Sequence, residues 1–495
     1  LVCLDTRTNE IKWQQDDLVG ELGTDKQGIF TLFVDRDNDI WMYSPLGIWV
    51  YNPEQEKWLS WLTNIIKRRS HNMVRAVSQD KQGRIWIGTD QDGIDILDKK
   101  TGEVRQLRNK AGDERSLQNN TVMVLYEDSS ETMWVGTYKK GISYFNECAF
   151  KFGAEYIGDI SCIEEDKEGY VWLGTNDVGI IYWNSVTGNR AAFPQKGMDK
   201  LTTDAIVCIL KASDGKLWIG TFGGGLICYD NGRIIHYKKN ISERQNSLAH
   251  NNVLALAEDK QGIIWIGTLG GGVQSLNPKT GLFTTYNTTS AGLISDYVSS
   301  LCMGKEGSLW IGTAQGLSEL DIETKKVVNL EGTKSGKEYF SDQNISQVYE
   351  DSRGLIWIGT CEGLNVYNPK TDELIILGVE QGVSSPIISG IVEDGNENIW
   401  VTTARGITNV IPAVDLKTGR YIFHSCVYDD KDGLQNSGFN LRSIKKLSSG
   451  EILMGGLYGI NRFRPDDIKY NKKRPSVMFT RLFLFNEEVG VGEEY

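Results

Sequence analysis

Four histidines, His71, His236, His250 and His424, and eight cysteines are the residues of this 495-residue chain best suited to nucleophilic or metal chemistry. Their spacing supports neither. No two histidines flank a glutamate as in a helical zinc site, and no cysteines form a Cys-x-x-Cys pair. There is no glycine-rich phosphate loop and no serine elbow. Carboxylates are plentiful, but the prominent ones recur at one motif position, as turn caps do. No catalytic residue, metal ligand or cofactor is assigned.

What remains is recognition chemistry. Aromatic rings beside amides, arginines and acids suit a polar ligand with apolar faces, such as a sugar. The candidate ligand-binding residues are Trp58, Arg68, Arg69, His71, Tyr138, Lys139 and Lys140 in the first third, and Phe222, His250, Asn252 and Arg405 beyond it. Ordinary solvated loops are the competing reading for each, and Asn252 has the further alternative of a turn cap.

These residues are placed by a repeat. Tryptophan recurs at Trp41, Trp86, Trp134, Trp172, Trp218, Trp265, Trp310, Trp357 and Trp400, usually followed by Ile/Val/Leu-Gly-Thr, and Leu453 heads a degenerate tenth copy. A fixed period near 45 residues marks a repeat architecture. Twelve and nine positions before each Trp the residue is apolar (Ile206 and Ile209, Val253 and Leu256), and ten before it mostly small (Cys162, Ala255, Gly390). That is a buried strand. An acidic turn with glycine leads to the Trp strand, a Gly-rich hairpin to a third strand, and Lys279-Thr280-Gly281 to a fourth.

Four short antiparallel strands per unit make a β-propeller blade, so the chain is expected to be all-β, built from seven-bladed propellers. No helix of ten residues is expected. The repeated Trp rings should pack between blades, leaving Trp13, Trp49, Trp58, Trp61 and Trp183 free for other roles. The acid before each Trp resembles a sialidase Asp box, but Asp80-x-x-Gly83-x-x-Trp86 is one residue too long, and such boxes are structural turns.

The Trp134–Trp172 step is only 38 residues, against 43–48 elsewhere. The chain is therefore expected to leave one ring and start another. Residues 1–147 would hold three and a half blades of a first propeller, and 148–470 a complete seven-bladed one. The stretch 150–156 would close the blade of Leu453, because joining the chain ends in one blade removes exposed edges. Residues 471–495 alternate like the first strand of a further, Ig-like domain. Loops joining strands two and three share a rim with the loops between blades, and that rim, near the junction of the two rings, is the expected ligand site.

Formal charge is −12, which argues against general nucleic-acid binding. No run of 18 apolar residues is present. Scattered cysteines such as Cys162, Cys208, Cys228 and Cys302 read as small core residues.

The runs Leu217 to Leu226 and Ile264 to Val273, with the closing Gly450 to Pro465 and the tail Pro475 to Phe485, resemble the two-component-regulator propeller repeats and Y_Y_Y domain of periplasmic sensor regions of hybrid two-component systems. The resemblance implies two seven-bladed propellers, an Ig-like domain, an oligosaccharide ligand and a homodimer through the full-length ectodomain. It also implies a membrane helix outside this chain, a histidine kinase, and control of polysaccharide-utilisation genes. It carries no ligand motif onto individual residues. A lyase-type propeller enzyme and a purely structural interaction propeller are the alternatives.

Overall fold

The computed structural model describes residues 2–14, 30–44, 47–69, 73–111, 116–146, 151–184, 187–194, 201, 203, 205–240, 246–435, 438–468, 481–484 and 487–489. Two compact units emerge, 150–469 and 1–149 with 470–495.

The larger unit contains seven four-stranded antiparallel sheets. The Trp265 blade is representative: Val253–Glu258 is innermost, followed by Ile264–Thr268, Val273–Asn277 and Leu282–Tyr286. Innermost strands of successive blades pack side by side, and the first, Ile160–Glu165, lies against the last, Phe439–Lys446, so the ring closes. Gly153–Tyr156 is the outer strand of the Leu453 blade, running antiparallel to Gly459–Phe463 with Gly153 opposite Arg462. Two strands far apart in sequence thus share one sheet, and Gly459–Phe463 is not left as an open edge.

The smaller unit has four-stranded blades on Trp41 and Trp86 and a three-stranded sheet on Trp134. It also has hairpins Val2–Leu4 with Ile11–Gln14, and Leu482–Leu484 with Glu487–Val489. The Ig-like strand expected within 471–495 falls mostly outside the described residues.

Three expectations need correction. A ten-residue helix, Ser60–Arg69, follows the Trp41 blade. Leu62 and Ile66, one helical turn apart, are buried in that blade's core with Leu59 and Ile65 packed on them, an apolar stripe of period 3.6 hidden by the surrounding strand pattern. Trp58 belongs to the outer strand Lys57–Trp58, with its ring centroid 5.2 Å from that of Tyr51, and not to a loop. Trp49 and Trp183 are core residues, Trp183 being buried between the Leu453 and Trp172 blades. Conversely, Trp134 is 40% exposed, whereas Trp265 is 1% exposed.

Each letter of the repeated motif has a contact behind it. The acid six residues before the Trp accepts the indole N–H, at 2.8 Å for Asp80–Trp86, 3.0 Å for Asp259–Trp265 and 2.9 Å for Asp351–Trp357. Its other oxygen takes two backbone N–H groups of the turn, as Asp351 does from Arg353 and Leu355. Glycine two after the Trp leaves room for the next blade: a Cβ at Gly220 would stand 2.7 Å from Val253 Cγ1 and 2.4 Å from Cys208 Sγ. In the Trp400 blade Thr402 takes that place, and the residue facing it is Gly390. The following threonine donates its hydroxyl to the hairpin carbonyl, Thr268 to Gly272 at 3.0 Å and Thr221 to Gly225 at 2.7 Å.

Two of the blades that depart from the latch do so in opposite ways. Ala212 stands where Trp218 needs an acid, and the buried Trp218 indole N–H has no partner. Leu447 and Leu453 replace acid and Trp together and join one apolar cluster.

Asp351→Ala should therefore destabilise the larger unit by about 3 kcal/mol, since it strands a buried indole N–H and two turn amides. Ala212→Asp should stabilise it by about 1 kcal/mol by supplying the missing acceptor. Denaturant titration checks both, and a loss of stability for Ala212→Asp would refute the latch. Trp265→Ala should cost about 3–5 kcal/mol, and Trp134→Ala distinctly less, because the latter ring is already wet.

Candidate functional site

The turns joining second and third strands, and the connections between blades, emerge on one rim of the larger ring because the strands are antiparallel. Most of these turns are held by the connection beside them. Phe222 N–H donates to the Ala205 carbonyl at 3.1 Å, Leu269 to Asn252 at 3.1 Å and Ala314 to Tyr297 at 3.1 Å. The backbone of the rim is thus fixed by the framework, while its outward side chains are unconstrained in type.

Two candidate residues do structural work here. Asn252 Oδ1 accepts the Gly223 N–H at 2.7 Å, tying its connection to the neighbouring blade's hairpin. His250 Nδ1 accepts the Asn252 N–H at 3.1 Å. In other connections the same two-residue cap uses Asn119 toward Thr121, Ser295 toward Tyr297 and Asp342 toward Asn344. His250 therefore fills a slot in which any acceptor serves. Burial, then the charge of Lys239, holds its pKa below the ordinary histidine value, consistent with a neutral ring whose Nδ1 accepts.

Phe222 projects from its turn with its ring 54% exposed. Arg405 is also exposed, its backbone held by Thr403 Oγ1 at 3.1 Å. Tyr297, Tyr339 and Tyr458 are exposed rings on the same set of connections and turns. Tyr297 and Tyr339 were not among the sequence candidates. Tyr297 stands thirteen before Trp310, the column that also holds Asn252 and Asn344, and scanning that column for outward aromatics would have found it.

In the smaller unit Tyr138, Lys139 and Lys140 form the exposed turn after Thr137, with Lys139 Nζ 5.0 Å from the Tyr138 ring centroid. Lys139 adopts φ of 58°, a left-handed turn position. Arg68 and Arg69 are the last two residues of the helix, their side chains lying outside the described set, and His71 falls outside the described residues altogether.

Trp58 instead lines a separate cavity of about 500 Å³ with Asp37, Asn52, Gln55, Lys57, Trp61 and Lys99. Trp61 is half-exposed there. Asp35, Asp37 and Asp39 converge closely enough to hold a metal ion. The Lys99 ammonium already lies 2.6, 2.7 and 2.7 Å from the three carboxylates, and these hold its pKa above the ordinary lysine value despite opposing burial. The ammonium already fills the point of convergence, and the cluster is an inter-blade clamp.

Among the described residues no helix is long and apolar enough to cross a membrane.

Comparison with known proteins follows the repeat. The family described as two component regulator propeller matches residues 69–91, 116–139, 157–177, 200–223, 247–270, 292–315 and 339–362. Histidine kinase P4 of Formosa agariphila is 25% identical over 290 residues, covering 57% of this chain and 20% of the kinase, so the match spans about a fifth of that relative's length. The extracellular domain assigned to the hybrid two component system BT3049 of B. thetaiotaomicron superposes with a TM-score of 0.71 at 23% identity, over 99% of this chain and 64% of that one. The extracellular domain of BT4673 from the same organism gives 0.53 at 19% identity, over 99% and 71%. Both share the fold. The chain thus carries an array of two component regulator propeller repeats on a β-propeller framework.

Proposed function

We propose that this chain is part of the extracytoplasmic, periplasmic sensor region of a hybrid two-component system, and that it binds an oligosaccharide without turning it over. The observation that carries this reading is the array of matched regulator repeats, whose framework contacts leave the rim residues free to vary. Exposed Phe222, Tyr297 and Tyr458, with Arg405 exposed on another hairpin of the rim, offer the stacking faces and hydrogen-bond donors that sugars use. The full-length protein would dimerise through its ectodomain, cross the membrane by a helix outside this chain, and control genes for polysaccharide use. Signalling requires only that the ligand bind two domain arrangements unequally.

Calorimetry of the protein against host and plant oligosaccharides tests binding, and mass spectrometry of the same mixtures tests turnover. We expect at least one saturable ligand and no products. Phe222→Ala with Arg405→Ala should weaken binding by about tenfold, near 1.4 kcal/mol, if the large ring carries the site. Arg68→Ala with Arg69→Ala should do so if the smaller unit carries it. Cleavage or elimination at enzymatic rates would overturn the sensor reading.

A further inference from the structure

In the larger unit the innermost strand of each blade carries a bulge. In the Trp172, Trp218, Trp265, Trp310, Trp357 and Trp400 blades a single residue is skipped by the ladder, for example Ser161 between Ile160 and Cys162. These residues are Ser161, Val207, Leu254, Ser299, Ser346 and Ser389, all uncharged. Ser161 and Ser346 use their hydroxyls on the carbonyls of Ile206 and Ile388 in the next blade, which staples adjacent inner strands.

The Leu453 blade is different. Its ladder is interrupted between Phe439, opposite Gly456, and Ile444, opposite Met454, so that Asn440, Leu441 and Arg442 are extra. Arg442 sits at φ of 60°, a left-handed conformation uncommon for a non-glycine residue within a strand. Bulges of this kind re-aim a side chain.

The aim is inward. Arg442 Nη1 lies 3.4 Å from the Ser346 carbonyl, which belongs to the Trp357 blade, two blades away. The guanidinium is also within electrostatic reach of Cys162 and Cys208, in the two blades on the other side. Only a side chain lying across the central channel meets both. Among the described residues no carboxylate pairs with it, and the Ser346 carbonyl is its one hydrogen-bond partner. Burial lowers its pKa, but arginine remains a cation. The Arg442 side chain is half-buried, so water reaches it, and a partly desolvated cation without a counter-charge is stabilised by an anion.

We propose that the central channel of the seven-bladed ring is an oxyanion site, with Arg442 as the bidentate donor to a carboxylate or sulfate group. A guanidinium presents paired N–H groups that match such an anion in a fork. The bound group would tie the Leu453 blade, where the chain ends meet, to blades across the ring. The oxyanion is either free in solution or carried on an acidic sugar, and the site does not depend on the rim residues or on the glycan-sensor reading.

The test is thermal unfolding of the wild-type protein and Arg442→Gln in sodium sulfate, sodium glucuronate, glucose, and sodium chloride at matched ionic strength. General salt effects act on both proteins alike, so the difference between them is the readout. Sulfate and glucuronate should raise the wild-type midpoint by a few degrees more than that of Arg442→Gln, and glucose and chloride should not. A response to glucuronate without sulfate would assign the sugar-borne source, and the reverse the free anion. Equal shifts in the two proteins would overturn the site. Should Arg442→Gln fail to fold, crystals of the wild-type protein grown in selenate decide the matter: an anomalous peak beside Arg442 is expected, and an empty channel at saturating selenate refutes the proposal.

Discussion

The bond from a buried carboxylate to a buried indole N–H underlies this fold. One aspartate oxygen closes the turn between first and second strands, and the other pins the Trp ring in the gap between blades. A single residue thereby couples strand reversal to blade packing. A charged acceptor taking three hydrogen bonds offsets its own desolvation, and the ring contributes a large apolar area. Two of the three exceptions follow the same logic, Trp218 being the one left without an acceptor. Without an acid at position 304, Trp310 is served by Glu350 of the next blade, whose pKa is raised by burial. At Leu447 and Leu453 both polar partners are absent together, which leaves nothing unsatisfied.

The second constraint is crowding around the central channel. Inner strands approach so closely that the glycine after the Trp and the small residue opposite it share one allotment of space. Gly174 faces Cys162, Gly267 faces Ala255, and Thr402 faces Gly390. Packing of this density makes the ring stiff. Stiffness is what allows the rim turns to carry arbitrary side chains: their backbones are fixed by bonds such as Phe222 to Ala205, and their chemistry costs the framework little.

Residues of one type divide by what surrounds them. Trp134 and Trp265 occupy the same motif position and make the same acid bond, yet one ring is wet and the other dry. His250 looked like recognition chemistry in one dimension and is a turn cap in three. Trp58 looked like a loop residue and is an outer strand, because the residues that follow it coil into a helix that covers the blade.

The sequence by itself determined the repeat, the strand order within a blade, the acid turn and the small-residue column. These depend on contacts between residues a fixed distance apart, and a period makes such contacts legible. It also marked Phe222, Tyr138 and Lys139 as outward turn residues, since a hairpin of known length leaves them nowhere else to point. Only the tertiary structure decided which rings are covered, that Lys99 bridges the Asp35, Asp37 and Asp39 cluster, and that Arg442 crosses the channel. Those contacts join residues about 60 to 96 positions apart and occur once each, so no pattern announces them. The Lys99 contacts arise from the packing of neighbouring blades and the Arg442 contact from closure of the larger ring, and both bring together side chains that have no reason in sequence to meet.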